Sequence, residues 1–519
     1  MINSPFEALE GQPVYSVDIV RDIEQWLINE YRVSGLRLML KAGRAAFQRL
    51  RDRWPDRNHV VVLCGSGNNG GDGWVVAWLA REAGLQVCVV CLEDPARVKG
   101  DALAARSQYV ALPDAHIVTS LVEAEALLTR AGASTVLVDG LLGTGFSGAL
   151  RPHQKTLLDL VNKSRADRSL KTMALDVPSG LCAQTGRLAE MVFKADVTVT
   201  FIGLKKGLLT GAARECCGDV YLELLHDQPL PAPWDRGLGQ VLSAQHLRRR
   251  VATRPRHAHK GYFGHVLVLG GAPGMGGAAI LAAEAALRSG AGWVSVGLHE
   301  SFVGAAIARR PELMAFSAID VEQLEKSIAR ADVIAIGPGL GMSAWGEPIW
   351  HAAIASGKPM VVDADGLNWL AQNPVRLPSK SILTPHPGEA SRLLQDTTLN
   401  VEGDRFAAVN RLAERYGCTV ILKGAGTLIS SAETSATEVC LRGNPGMAVA
   451  GMGDVLSGVV AAWYAQGQGP HDAATIGVYL HATAADTAVL TCGEHGLLPS
   501  DVIDAIPQTT SSFISGLLA

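Results

Sequence analysis

Long hydrophobic runs, a disulfide framework and a marked excess of charge are all missing from this chain. No apolar stretch in its 519 residues reaches the roughly 18 that a membrane span needs. Met1–Trp26 is amphipathic, carries Asp18, Arg21, Asp22 and Glu24, and sets no basic stretch before an apolar core. A signal peptide is therefore not expected, and the cytoplasm is. The formal charge of -4 gives no pull toward nucleic acid or an anionic membrane, so neither is an expected partner. Charged residues make up only 18% against 48% hydrophobic, which excludes long disorder and suits a well-buried α/β protein. The cysteines number 9, an odd count without framework spacing. Cys88-Val89-Val90-Cys91 spells C-x-x-C inside the apolar run Val87–Leu92. That run reads as a buried strand, on which the two thiols face opposite ways, whereas a redox C-x-x-C opens a helix. Asn68-Asn69-Gly70-Gly71-Asp72 reads equally as a plain turn, and hydride transfer is not expected.

Two glycine-rich loops, each carrying an aspartate, are what the chain does have. The first is Gly67-Asn68-Asn69-Gly70-Gly71-Asp72-Gly73; the second runs from Asn444 to Gly451-Met452-Gly453-Asp454. Glycine lets backbone N–H groups approach an anion, and a helix start favours negative charge. The loops differ in wording and lie in different halves, which predicts two sites in two domains. A length of 519 residues agrees, since domains usually run to roughly 100–250.

Short apolar runs alternate with helix-like segments throughout, the signature of largely parallel sheets covered on both faces. In the first half, strands are predicted at Val60–Cys64, Leu85–Leu92, Thr135–Asp139 and Met173–Asp176, with a helix from Trp74 to Ala83. Asp139, Asp176 and Asn68–Asp72 fall at strand ends, where ligands of such sheets bind. Pro229, Pro231 and Pro233 interrupt the pattern, placing a boundary near Pro233, within about ten residues. Domains are expected at 1–233 and 234–519. The basic cluster Arg248-Arg249-Arg250 reads as a solvated helix face near the linker, since no aromatics interleave. In the second half, strands are predicted at His265–Leu269, Ile334–Ile336, Met360–Asp363, Ile382–Thr384 and Val420–Lys423, with an apolar helix opening at Gly453.

Asp454 sits where N–H groups at a helix start would hold phosphate oxygens. A carboxylate there makes sense as a base that takes a proton from an attacking hydroxyl; a helix cap is the alternative. Lys423-Gly424-Ala425-Gly426-Thr427 offers a cation, flexible backbone and a hydroxyl to a nucleotide's phosphates. These loops, with Pro273–Ala279, Gly337–Gly341, Asp363–Gly366 and Leu383–Glu389 in order, resemble ribokinase-like small-molecule kinases. More closely, they resemble the ADP- or ATP-dependent NAD(P)H-hydrate dehydratases, over about residues 260–500. The resemblance implies that a hydroxyl on hydrated nicotinamide is phosphorylated and then expelled by the ring nitrogen. It implies Asp454 as base; Lys423, Gly424, Ala425, Gly426, Thr427 and Gly453 at the phosphate donor; and Ala278, Gly339, His386 and Asp454 at the hydrated substrate. ADP is the donor expected, magnesium is implied with ligands unnamed, and a kinase for a vitamin-like alcohol is the rival.

Leu38–Gly43, Gly67–Gly73, Asp139 with Gly143-Thr144-Gly145, and Asp176-Val177-Pro178-Ser179-Gly180 resemble the NAD(P)H-hydrate epimerases over about residues 15–225. This resemblance implies potassium held by Asn69, Asp139 and Ser179. The dinucleotide would lie along Asn68, Asn69, Gly70, Gly71 and Asp72 and along Gly143, Thr144, Gly145, Phe146, Ser147, Gly148 and Ala149. Asp176 would contact the hydrated ring as acid/base. Turn formation or capping is the alternative for Asp139 and Asp176, and a non-catalytic binding module the alternative for this half. The fold expected is α/β with two three-layer domains, Rossmann-like then ribokinase-like, in a homo-oligomer that acts on small molecules.

Overall fold

The computed structural model describes residues 7–378 and 380–518. The chain divides into two compact units, Met1–Gly239 and Gln240–Ala519. The division falls after Gly239 rather than at Pro233, because the Leu238 N–H donates to the Val14 carbonyl and ties this segment to the first unit.

The first unit carries a 7-stranded sheet. Its strands stand in the order Ile117–Val118, Gln86–Val90, His59–Cys64, Thr135–Gly140, Lys171–Leu175, Val197–Phe201 and Asp219–Glu223, and all its pairings are parallel. Along the central strand Val60, Val62 and Cys64 enter one core, while Val61 and Leu63 enter the other. That is the two-fold alternation of a strand buried on both faces. Cys88 and Cys91 fall into these two opposite cores and are free, buried thiols. The strand order reverses between His59–Cys64 and Thr135–Gly140, and a crevice opens at such a point beyond the carboxyl ends.

Asn68–Gly73 is not a loop. It forms the opening turns of the helix Asn68–Glu82, which starts well before Trp74. Glycine permits this at Gly70, where a Cβ would stand 2.0 Å from the Gly65 carbonyl oxygen. The helix thereby closes onto the strand end, and its first N–H groups face the crevice.

The second unit holds a 9-stranded sheet. The order is Met314–Ser317, Trp293–Leu298, His265–Leu269, Val333–Ile336, Met360–Val362, Ile382–Leu383, Thr419–Leu422, Thr427–Ser431 and Thr434–Cys440. Pairing is parallel as far as Thr419–Leu422 and antiparallel beyond it. Two small-residue helices, Gly276–Arg288 and Met452–Ala465, pack closely under the central strands. A Cβ on Gly458 would stand 2.0 Å from the Ala282 carbonyl oxygen. The basic cluster is not simply solvated: Arg250 reaches Asp472 at 3.0 Å and Glu438 at 3.5 Å, and Arg248 donates to the Leu518 carbonyl. No helix among the described residues is long and apolar enough to cross a membrane.

Candidate functional sites

The first unit's crevice is a cavity of about 590 Å³. Asn68, Asn69, Gly70, Asp72, Gly143, Thr144, Gly145, Phe146, Ser147, Ala149 and Asp176 line it. Gly71 and Gly148 lie off it. Gly71 turns inward, where a Cβ would meet Met39 Sδ at 2.5 Å; Gly148 serves an exposed turn with φ of 89°.

Asp176 follows its strand with φ of 59°, a strained conformation for a non-glycine residue and common at functional sites. Its Oδ1 accepts from Thr200 Oγ1 and the Phe201 N–H, each at 3.2 Å, and from Lys205 Nζ. Lys205 is only 1% exposed and is further held by Thr200 Oγ1 at 3.0 Å and the Phe201 carbonyl at 2.7 Å. Around this ammonium stand Asp72 and Glu24. Burial, then the charge of Asp176, pushes both carboxyls up, against the pull of Lys205. The site thus combines one fixed cation with two carboxyl groups, those of Asp72 and Glu24, whose proton affinity burial raises. Neither Lys205 nor Glu24 was legible as functional. The signal for Lys205 was the alternating strand Val197-Thr198-Val199-Thr200-Phe201 just before it.

Asp139 and Ser179 lie beneath the cavity, fully buried or nearly so. Asp139 Oδ1 accepts from Ser179 Oγ at 2.7 Å and the Leu141 N–H at 3.1 Å, and Oδ2 from the Ser179 N–H at 2.7 Å. Asp139 therefore does shape the turn, while burial raises its carboxyl to about 6 against these bonds. Asn69 donates to the Leu142 carbonyl at 2.8 Å, which leaves its Oδ1 buried without a donor. A buried oxygen left without a partner is costly unless a cation or water meets it.

In the second unit Asp454 stands in the first turn of the helix Met452–Ala465. It does not cap this helix: the N-cap is Gly451, with φ of 93°, and no side-chain capping bond forms. Its carboxyl is raised to about 7, by burial first and then by Asp363, with Lys423 opposing. Lys423, the cation its loop offers, is paired in the structure. Its Nζ donates to Asp363 Oδ1 at 2.6 Å and lies 3.7 Å from Glu389 Oε2. Asp363 is fixed in turn by Ser457 Oγ at 2.7 Å. A Cβ on Gly453 would stand 3.2 Å from Lys423 Nζ, so glycine there lets the ammonium reach the helix start. Glu389, raised to about 7 by burial, caps its helix by accepting from the His386 N–H at 2.8 Å. His386 Nδ1 accepts from the Gly388 N–H at 3.0 Å, so this histidine is a cap as well as a site candidate. Burial and then Lys423 lower its pKa.

The 424–427 loop is shaped from below by Arg405, whose buried guanidinium donates to the Leu422 and Lys423 carbonyls. Gly424 and Ala425 are exposed and Gly426 is buried. Thr427 Oγ1 donates to the Gly424 carbonyl at 2.9 Å. Ala278 and Gly339 are neighbours, a Cβ on Gly339 lying 3.2 Å from that of Ala278. Asp363 and Glu389 had been noted only as parts of motifs; their partnership with Lys423 spans three strand ends.

The folds define a two-domain α/β enzyme, Rossmann-like in its first unit and ribokinase-like in its second. The family model described as "NAD(P)H-hydrate dehydratase" matches residues 266–508, and that of the "YjeF-related protein N-terminus" matches residues 35–207. The bifunctional NAD(P)H-hydrate repair enzyme of Coxiella burnetii is 41% identical over 93% of this chain and 96% of its own. Its Escherichia coli counterpart is 38% identical over 95% and 93%. A ribokinase-like superfamily protein of Enterococcus faecalis is 30% identical over 56% of this chain and 99% of its own, with a TM-score of 0.50. The chain belongs to the bifunctional NAD(P)H-hydrate repair enzymes.

Proposed function

We propose that this chain repairs hydrated NADH and NADPH. The first unit would interconvert the R and S hydrates. The second would dehydrate the S hydrate with ADP as phosphoryl donor, releasing AMP and phosphate. The observation that carries this reading is Asp454: a carboxyl raised to about 7, in the first turn of a helix that no side chain caps, beside an ammonium fixed by Asp363.

Ionised Asp454 takes the hydrogen of the substrate hydroxyl as its oxygen attacks the donor's terminal phosphorus, and the bond to AMP breaks. N–H groups at Gly451–Asp454 hold the moving phosphoryl oxygens, while Lys423, Gly424, Ala425, Gly426, Thr427 and Gly453 hold the donor. The ring nitrogen's lone pair then expels phosphate, and loss of a proton from the adjacent ring carbon restores the double bond. Ala278, Gly339 and His386 line the substrate side. Magnesium binds through one or two carboxylates plus phosphates. The Asp363 carboxylate would suit it, and it would offset phosphate charge.

In the first unit Asp176, steadied by Lys205, faces the hydrated ring as acid/base, with the buried carboxyl groups of Asp72 and Glu24 beside it. Potassium fits Asn69 Oδ1, Asp139 and Ser179: one oxygen is orphaned, one carboxylate is buried, and all are hard donors. When bound it supplies a fixed positive charge beneath the ligand. The cytoplasm is the compartment proposed. A homo-oligomer is proposed too, because the outer strand Met314–Ser317 and its flanks expose Ile307, Met314, Ile319 and Val321.

Mixed hydrate epimers incubated with ADP test the reading. Restored absorbance of reduced nicotinamide, with one free phosphate per turnover, is expected. A stable phosphorylated product would instead identify a small-molecule kinase, and ATP in place of ADP tests the choice of donor.

A further inference from the structure

Glu93 ends the crossing from the strand Gln86–Val90 and reaches the far side of the first unit's cavity. It is buried, with a side chain 5% exposed, yet carries a full set of donors. Arg151 Nη1 reaches both its oxygens at 3.1 Å, His153 Nε2 meets Oε1 at 3.2 Å and Gln154 Nε2 meets it at 3.3 Å. Arg97 Nη1 stands 3.8 Å from Oε2. Glu93, Arg151 and Gln154 line the same cavity as Asp176 and Lys205. Nothing in the chemistry proposed above uses them.

Their position gives them a role. The strand before Glu93 and the strand before Asp176 are separated by His59–Cys64 and Thr135–Gly140. Three strand spacings place the two ends roughly 14 Å apart. That distance separates a nicotinamide ring from the far phosphate and ribose of an extended dinucleotide. The N-terminus of the helix Asn68–Glu82 lies between them, without an acidic residue in its first turn, and suits the pyrophosphate.

In doubly wound sheets an acidic residue at this strand end accepts from the ribose 2′-hydroxyl, and an arginine accommodates a 2′-phosphate. Here the acidic residue is consumed by its own protein. Each Glu93 oxygen is already occupied by arginine, and Oε1 also by His153 and Gln154. A ribose hydroxyl would find little acceptor capacity left. Arg151 is different. It is held at one Nη while its side chain stays 54% exposed, which leaves the rest of its fork to face a phosphate bidentately.

We propose that Arg151, positioned by Glu93, forms the ribose 2′ subsite of this cavity and recognises a phosphate there, so that the epimerising unit favours hydrated NADPH over hydrated NADH. The proposal rests on reading the cavity as the epimerase site.

The test uses the full chain without nucleotide, so that only epimer exchange proceeds, started from the R hydrate of each coenzyme and followed chromatographically. The wild type is expected to show kcat/KM for the phosphorylated substrate roughly tenfold or more above that for the other, the size of one lost charge-assisted contact. Arg151→Ala should bring the ratio near one, chiefly through KM, and Arg151→Lys should keep part of it. Because the ratio is taken on one sample, a fraction of misfolded protein cancels. A wild-type ratio near one would overturn the proposal. So would an equal loss on both substrates in Arg151→Ala, which would put this arginine on the pyrophosphate. Absence of any exchange in the wild type would defeat the epimerase reading instead. Calorimetry with ADP-ribose and 2′-phospho-ADP-ribose compares wild type and Arg151→Ala: a preference for the phosphorylated ligand that the substitution reduces is expected, and equal affinities in the wild type, or a preference Arg151→Ala leaves unchanged, would overturn it.

Discussion

Replacing Asp454 by asparagine should stop dehydration and, at the same time, stabilise the second unit. The side chain keeps its shape and loses its charge. As a general base it is worth roughly 10²–10⁴ in rate, so dehydration should fall by that factor while epimer exchange in the first unit continues. The stability effect follows from burial. In the folded chain the carboxyl is raised from 3.8 to about 7, so between those values it holds a proton that the unfolded chain has lost. Its favourable contribution is complete below about 3.8 and is lost as pH rises through about 7. At pH 8 the wild type carries the cost of a buried, repelled carboxylate. From 3.8 to about 7 corresponds to at most ~4 kcal/mol; solvent access at a substrate site reduces this to about 1–2 kcal/mol. Asparagine avoids that cost. Urea unfolding of the second unit should show the variant equal to the wild type near pH 4 and more stable by pH 8. Equal stability at pH 8, or full dehydratase activity in the variant, would refute the placement of this carboxyl as a buried base.

Other outcomes follow from the same geometry. Dehydratase kcat should fall about tenfold per pH unit on the acid side of a midpoint near 7, because Asp454 acts ionised and its carboxyl is raised to that value; a flat profile down to pH 5 would contradict it. Asn69→Ala should abolish the potassium dependence of epimer exchange and lower its rate, since it removes the orphaned Oδ1, and dehydration of the S hydrate should be unaffected. Lys205→Met should cut epimer exchange by at least about 10² through kcat, because Asp176 loses the ammonium that fixes it; a change confined to KM would count against that role. Gly458→Ala should destabilise the second unit by about 1–3 kcal/mol or more in thermal unfolding, because its Cβ would meet the Ala282 carbonyl oxygen at 2.0 Å.

The alternation of apolar runs was enough to read parallel sheets and two units, because strands buried on both faces must be apolar at nearly every position. Val60–Cys64 and His265–Leu269 stood out for that reason. Asp139, Asp176 and Asp454 stood out because a polar residue directly after such a run marks a strand end or a helix start. The helix opening at Asn68 did not: glycine and asparagine are poor helix formers, and only packing of Gly70 against the Gly65 carbonyl makes the helical turn the fitting one. What a linear chain cannot display is which charges meet. The loop after Val420–Leu422 shows a cation, Lys423, but not that Asp363 and Glu389, contributed by other strand ends, pair with it. Lys205 carries no mark of its own in the sequence, and only burial sets it against Asp176. The identities and order of the loops belong to the sequence; the pairing, desolvation and shifted proton affinities of their side chains belong to the tertiary structure, because they depend on distances between residues far apart along the chain.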